Sequence, residues 1–380
     1  MITELFLGRL AARDPHQRVQ VIGPLARAFL CPDLSAVSRE EIGAGFAAIL
    51  TDPNPIVRRA LAEALADSPD APHHLVAALA FDQLAVSAPV LRRSPVLQDH
   101  DLVELIGEGV AQTQMLIAGR SRISPPVAAA LIEIAPPEVC ELLLANPGAD
   151  ILSFSFARLA ERHAGDAALR AAMLERDDLP AQVRQGLTLA LAEALLGSDM
   201  FKAFVLPERG QKMVRDCCDQ ATVDLAGRCS GEERRALIVH LDCTGHLTAG
   251  LMLRALLHGN AGFFEDALAF LADLPPRRAA RLAGGGQGAG FKAVYEKAGL
   301  PEAQFSAFAT VLSQTRAALA RGEDLTQASR RRALIEKVQA AFQRDWHPAS
   351  LELSAMLTRL ADAAAREEAK VVYWEDAAAA

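Results

Sequence analysis

The feature that most constrains this chain is a 3.6-residue apolar periodicity running in short bursts, each cut off by proline, asparagine or glycine. After Asp52-Pro53-Asn54-Pro55, the residues Val57, Leu61, Ala64 and Leu65 fall on one stripe, while Arg58, Glu63 and Asp67 lie off it. Asn54 reads as an N-cap with Pro55 at the first helical position, where a missing N–H is harmless because that group has no intrahelical partner. Ser124-Pro125-Pro126 opens residues 127–134, which are apolar nearly all round and so predicted to be buried on several sides. Pro136-Pro137 opens the next burst, and Asn146-Pro147-Gly148 stops it.

Taken as helix pairs, the openings fall near Ser38, Pro72, Asp99, Ser124 and Ser153, at intervals of 34, 27, 25 and 29 residues. One pair of short helices cannot bury its apolar faces alone, whereas stacked pairs share a continuous core. The Asp52…Val57-Arg58 pattern resembles the HEAT repeat, in which an Asp and an Arg tie neighbouring units together. The expected fold is therefore all-α: a HEAT-like α-solenoid of short helix pairs over residues 1–198, then a helical C-terminal domain over 199–322. Two charged helices and a tail occupy 323–380. In the later part, helices are predicted near 208–229, 231–241, 248–258, 262–273, 301–320, 326–345 and 349–370, with a Gly-rich loop at 284–290. Val57, Leu61, Leu65, Val127, Leu131, Leu142 and Leu143 are the expected core of the repeats. No period-2 segment of useful length suggests a strand.

Composition narrows the class. The chain is 51% apolar but only 5% aromatic, which predicts an aliphatic core suited to close helix packing. A net charge of −8 argues against general nucleic-acid affinity. The six cysteines, two of them adjacent at Cys217-Cys218, do not form a secreted disulfide pattern. Glu4 and Arg9 interrupt what would be a leader, and no stretch reaches the ~20 apolar residues of a membrane span. A cytoplasmic protein is expected.

Several segments resemble the bacterial domain-of-unknown-function 2336 family: Val86-Ser87-Ala88-Pro89-Val90-Leu91, Ser94-Pro95-Val96-Leu97, Asp99-His100-Asp101-Leu102, Ile117-Ala118-Gly119-Arg120, residues 139–149 ending in Asn146-Pro147-Gly148-Ala149, and residues 295–301 from Tyr295 to Pro301. Together they span roughly residues 50 to 310. The resemblance implies an all-helical, HEAT-like fold and brings no catalytic or binding residues with it.

The remaining motifs are weak. In the Gly284–Gly290 loop, Gly284-x-Gly286-x-x-Ala289 fits a dinucleotide fingerprint, but residues 277–283 before it read as helix where a strand is needed. Cys217, Cys218, Cys229, His240, Cys243 and His246 lie within thirty residues of each other yet lack the two tight ligand pairs of structural zinc. No nucleophile elbow or catalytic cysteine context is present. The chain is expected to be no enzyme, with no cofactor and no metal.

Arginine carries the surviving partner signal. Arg58, Arg59, Arg92, Arg93, Arg120 and Arg122 recur along the repeats, but nine acids accompany them in residues 51–125. The simplest reading pairs them with helix C-termini and neighbouring aspartates. Residues 316–344 are locally basic, including Arg330, Arg331 and Arg332, and the next helix ends acidic, which suits an antiparallel pair or a self-contact. Candidate partner-binding residues are Arg58, Arg92, Arg93, Arg120, Arg122, Arg330, Arg331 and Arg332. The expected function is a protein–protein interaction scaffold or adaptor that binds a protein partner and no membrane, with homo-oligomerisation through the C-terminal helices as a further expectation. Its alternatives are a nucleic-acid-binding solenoid, favoured by a segregated basic face, and a small-ligand sensor, favoured by an apolar pocket between the halves.

Overall fold

The structure is a computed structural model that describes residues 14–31, 34–163, 165–284, 288–344 and 351–379. Among these residues it is all-helical, and the only β-type pairing is an isolated parallel bridge between Ile123 and Ala149. The chain forms two compact units that divide between Leu179 and Pro180.

The first unit holds α1 (Pro15–Phe29), α2 (Ala36–Leu50), α3 (Pro55–Leu65), α4 (His73–Ala80), α5 (Leu84–Arg93), α6 (Asp99–Gly107), α7 (Ala111–Ala118), α8 (Pro125–Ile134), α9 (Pro137–Ala145), α10 (Ser153–Arg162) and α11 (Ala167–Glu175). Capping residues and prolines start several of these short helices. Asn54 accepts a hydrogen bond from the Ile56 N–H at 3.0 Å with Pro55 at the first position, and Asp166 caps α11 the same way. Odd-numbered helices pack in succession from α1 to α11, and even-numbered ones pack as α2 on α4 and as α6 on α8 on α10. Each helix thus buries one side against the helix two places along the chain.

Polar side chains fasten these neighbours. The last carbonyls of a helix have no intrahelical donor, and here side chains from two helices later supply one. Arg120 donates to the Leu91 and Ser94 carbonyls at 2.6 and 2.5 Å, and Arg162 to the Ile132 carbonyl at 2.6 Å. Arg176 donates to those of Leu144, Asn146 and Ala149 at 3.0, 3.1 and 3.0 Å. Asn146 reaches Ala118 and Arg120 at 2.8 and 2.7 Å.

Val57, Leu61, Leu65, Val127, Leu131 and Leu143 are fully buried, as their periodicity predicts. Leu142 is not: it is 40% exposed. On α9 the inward stripe is Val139, Cys140, Leu143 and Leu144, which turns Leu142 outward.

The second unit holds α12 (Ala181–Gly197), α13 (Asp199–Phe204), α14 (Pro207–Arg228), α15 (Gly231–Cys243), α16 (Ala249–Leu257), α17 (Ala261–Leu271), α18 (Pro276–Ala283), α19 (Ala289–Lys297), α20 (Phe305–Ala320), α21 (Ala328–Arg344) and α22 (Leu351–Ala379). Helix α12 packs on α14 and α15, so it belongs to this unit and not to the helices that precede it. Helices α21 and α22 pack on each other, and α21 also on α20 and α16, so the charged C-terminal pair is part of this unit. Helix α16 is buried at seven consecutive positions, Leu251 to Leu257, and forms the centre of the core. The core is not purely aliphatic. Phe264, Phe291, Phe308 and Tyr295 meet there with ring centroids 5.4–6.4 Å apart. Helix α19 begins at Ala289, inside the stretch read as a Gly-rich loop, and residues 285–287 of that loop lie outside the described residues.

Candidate functional site

The second unit carries an open groove of about 1140 Å³ along α14. Its floor follows from helical spacing. Arg209, Met213, Asp216, Gln220 and Asp224 recur every three or four residues, so one face of α14 lines the groove for its whole length. The stretch from Leu206 to Asp224 corresponds to roughly 27 Å of helix. Arg254 of α16 closes the base, and Arg359, Leu360, Ala363 and Arg366 of α22 form the opposite wall.

Asp216 holds the wall to the floor. One oxygen accepts from Arg254 at 2.7 Å and the other from Arg359 at 2.9 Å. Arg254 is 3% exposed, and its charge is matched by this carboxylate. With both arginines engaged, the exposed charges left along the groove are mixed: Glu208, Asp224 and Asp362 alongside Arg209, Lys212 and Arg366. Large apolar side chains stand in solvent at the N-terminal end: Met200 (75% exposed), Phe204 (85%), Leu206 (76%) and Met213. Asp216 thus satisfies the terminal nitrogens of Arg254 and the Nε of Arg359 at the base, where the Arg254 Nε is buried without a hydrogen-bond partner among the described residues, while apolar surface faces outward.

A smaller polar pocket adjoins the groove and shares Gln220 and Asp224 with it. Its His258 accepts a contact from Gln220 at 3.3 Å. Burial pushes the His258 imidazole down to about 3, and the Arg331 and Arg254 charges push the same way, so this histidine is neutral around pH 7.

The arginines singled out from the sequence divide by environment. Arg58 grips Asp82 through two nitrogens at 2.5 and 2.9 Å and the Asp52 carbonyl at 2.5 Å. That hydrogen bond with Asp82 holds the Asp82 carboxyl below its ordinary value. Arg120 is spent on two carbonyls, and Arg331 is buried against Glu367 and the Thr326 carbonyl. These three are held by partners within the chain. Arg93 pairs with Glu63 and Asp67 at 2.8 and 3.2 Å, and Arg332 with Glu336 and Glu368 at 2.9 and 3.3 Å, all near the surface. Arg92, Arg122 and Arg330 are exposed. The cysteine–histidine cluster is likewise dispersed. His240 bonds to the Gln185 side chain at 2.9 Å, Cys229 donates to the Leu225 carbonyl, and Cys217 and Cys243 face solvent.

The structure brings together a set that the sequence reading missed. His73 opens α4, and His100 and Asp101 lie in the first turn of α6. Asp101 is 5% exposed and completes a capping box with Gln98, whose backbone N–H it accepts at 2.8 Å. His73 Nε2 lies 2.8 Å from one Asp101 oxygen and His100 Nε2 lies 3.3 Å from the other. Burial alone would raise the Asp101 carboxyl, but the His73 contact and the Gln98 N–H outweigh it and hold it below its usual range. The signal available in the sequence was only a His-Asp pair and a second histidine one helix pair away.

Comparison with known proteins gives one match. The profile of a bacterial family described as uncharacterised protein conserved in bacteria, DUF2336, matches residues 86–346, more than half of the chain. The chain belongs to the DUF2336 family. No curated protein and no solved structure matches it. In this DUF2336 chain the match runs from α5 through α21, so it includes the floor of the groove and not its α22 wall. Three of the segments that carried the resemblance include joints between elements. Asn146 ties to residues 118 and 120, the Ile123 N–H donates to the Gly148 carbonyl at 3.0 Å, and the Asp150 N–H donates to the Ile123 carbonyl at 3.0 Å. The buried Tyr295 closes the other segment by donating to the Pro301 carbonyl at 2.9 Å.

Proposed function

We propose that this protein is a cytoplasmic protein-binding scaffold. In this reading the first unit is a HEAT-like α-solenoid, and the groove along α14 receives an amphipathic helical segment of a partner protein. The observation that carries it is the shape and chemistry of that groove. It runs along about five turns of one helix, its lining residues are mostly exposed, and its exposed charges are of both signs. A site for a small ligand encloses most of that ligand's surface, and this groove lies open along its length. A nucleic-acid face needs cations segregated from acids, and here Glu208 and Asp362 stand among the arginines. The unmet requirement is apolar contact at Leu206 and Met213, which a helix with apolar residues at three- and four-residue spacing supplies. Two further features support the wider reading: helices packed on the helix two places along, and Arg-to-carbonyl bonds between them.

The test compares the full chain with Met213→Glu and Ala221→Arg, both exposed groove positions that leave the core untouched. A protein recovered with the native chain is purified and titrated against all three. Binding should weaken at least tenfold in both variants, with helical content and melting unchanged. Equal binding by the variants would sink the groove reading, as would a lipid or nucleic acid as the sole bound species in native mass spectra.

A further inference from the structure

We infer that His73, His100 and Asp101 form a binding site for a divalent first-row transition metal, with zinc the ion of choice. Each of the three offers one ligand atom, and these atoms all lie within 4.8 Å of one another. Zinc takes imidazole nitrogen and carboxylate oxygen at about 2.0–2.2 Å, so tetrahedral ligand atoms stand roughly 3.3 Å apart. His73 Nε2 lies 2.8 Å from one Asp101 oxygen and His100 Nε2 lies 3.3 Å from the other, so a turn of the exposed imidazoles about their side-chain bonds would bring both nitrogens to an ion held by the carboxylate.

The donor set fits the ion. Two imidazoles and a carboxylate suit zinc, cobalt and nickel, whereas calcium and magnesium favour all-oxygen cages. The carboxylate is pre-oriented, since Asp101 is 5% exposed and held by the Gln98 N–H, which frees it from the entropy of searching for the ion. The histidines provide access: their side chains are 38% and 67% exposed for His73 and His100. On binding, each neutral imidazole carries its proton on Nδ1 and turns the Nε2 lone pair to the ion. Three protein ligands leave a fourth position, on the solvent side, for water. Because His73 belongs to α4 and the other two ligands to α6, the ion would brace two consecutive helix pairs.

The experiment uses the full chain, stripped with chelator and titrated with Zn²⁺ and, separately, Co²⁺ near pH 7.5. One equivalent of Zn²⁺ should bind at micromolar affinity or tighter and raise the melting temperature. His73→Gln and His100→Gln should each weaken binding at least tenfold. The Co²⁺ complex should show visible ligand-field bands without a thiolate charge-transfer band, which separates this site from the exposed cysteines of the second unit. In the wild-type chain, the imidazole resonances of two histidines should move together in the Zn²⁺ titration, a readout independent of how the variants fold. Failure to bind, full affinity in both variants, or a thiolate band would overturn the assignment.

Discussion

Arg120 illustrates what a single residue does in this chain. Burial draws its guanidinium below the ordinary value, yet it stays charged and fills the empty acceptor positions at the end of α5. The sequence sets six arginines beside nine acids in residues 51–125 and so points to pairing. It does not show which carbonyl each guanidinium meets, because that depends on a helix packed from 26 or more residues away. His258 was equally silent in the sequence, and it yields a sharp expectation. Its pKa is 6.5 when unfolded and about 3 when folded, so below pH 6.5 the unfolded chain binds a proton that the folded chain refuses. Its contribution to stability is therefore complete above pH 6.5 and declines as the pH falls from there toward 3. Denaturant titrations from pH 7 to pH 4 should show this loss in the wild type and a shallower slope in His258→Gln, whose side chain does not titrate. An identical slope in both proteins would remove His258 as the cause.

Elements were legible where punctuation is strong. Openings read near 38, 72, 99, 124 and 153 meet helices that begin at 36, 73, 99, 125 and 153. Pro72 and Pro125 mark two of these starts, Ser35 caps a third and Gln98 with Asp101 boxes a fourth, local chemistry that a sequence displays directly. Glycine misled at the other extreme. Helix α19 starts two residues inside the Gly284–Gly290 loop expected from the sequence and lies in none of the expected helices, and it buries Phe291, Val294 and Tyr295 in the aromatic cluster. The candidate site followed the same pattern: the α14 helix was read within a residue at each end, and the groove was not, since its wall lies more than 140 residues away in sequence. One glycine is required by a contact between elements. A Cβ on Gly148 would overlap the Ser121 backbone carbonyl, where the two turns meet at the Ile123–Ala149 bridge. Backbone atoms on both sides cannot rotate away. Gly148→Ala should therefore cost more than about 3 kcal/mol, beyond the usual range for one substitution, as read from urea midpoints. A loss under about 1 kcal/mol would mean that the bridge is dispensable.

At the scale of the whole molecule, two cores sit in two units, and the second has its own continuous cluster centred on α16. A core substitution should thus report on one unit. Leu131, fully buried in the first, should lose about 2–5 kcal/mol on replacement by Ala. In calorimetry, one unfolding transition should move down while the other stays. A rigid shift of a single transition would show that the units unfold together. The Arg and Asn bonds of the first unit have a further consequence. Each spans 26 to 32 residues and reaches back to the helix two places earlier. Among the described residues, each of these bonds closes over a short stretch of chain, so a fault at one joint should first loosen the joint beside it.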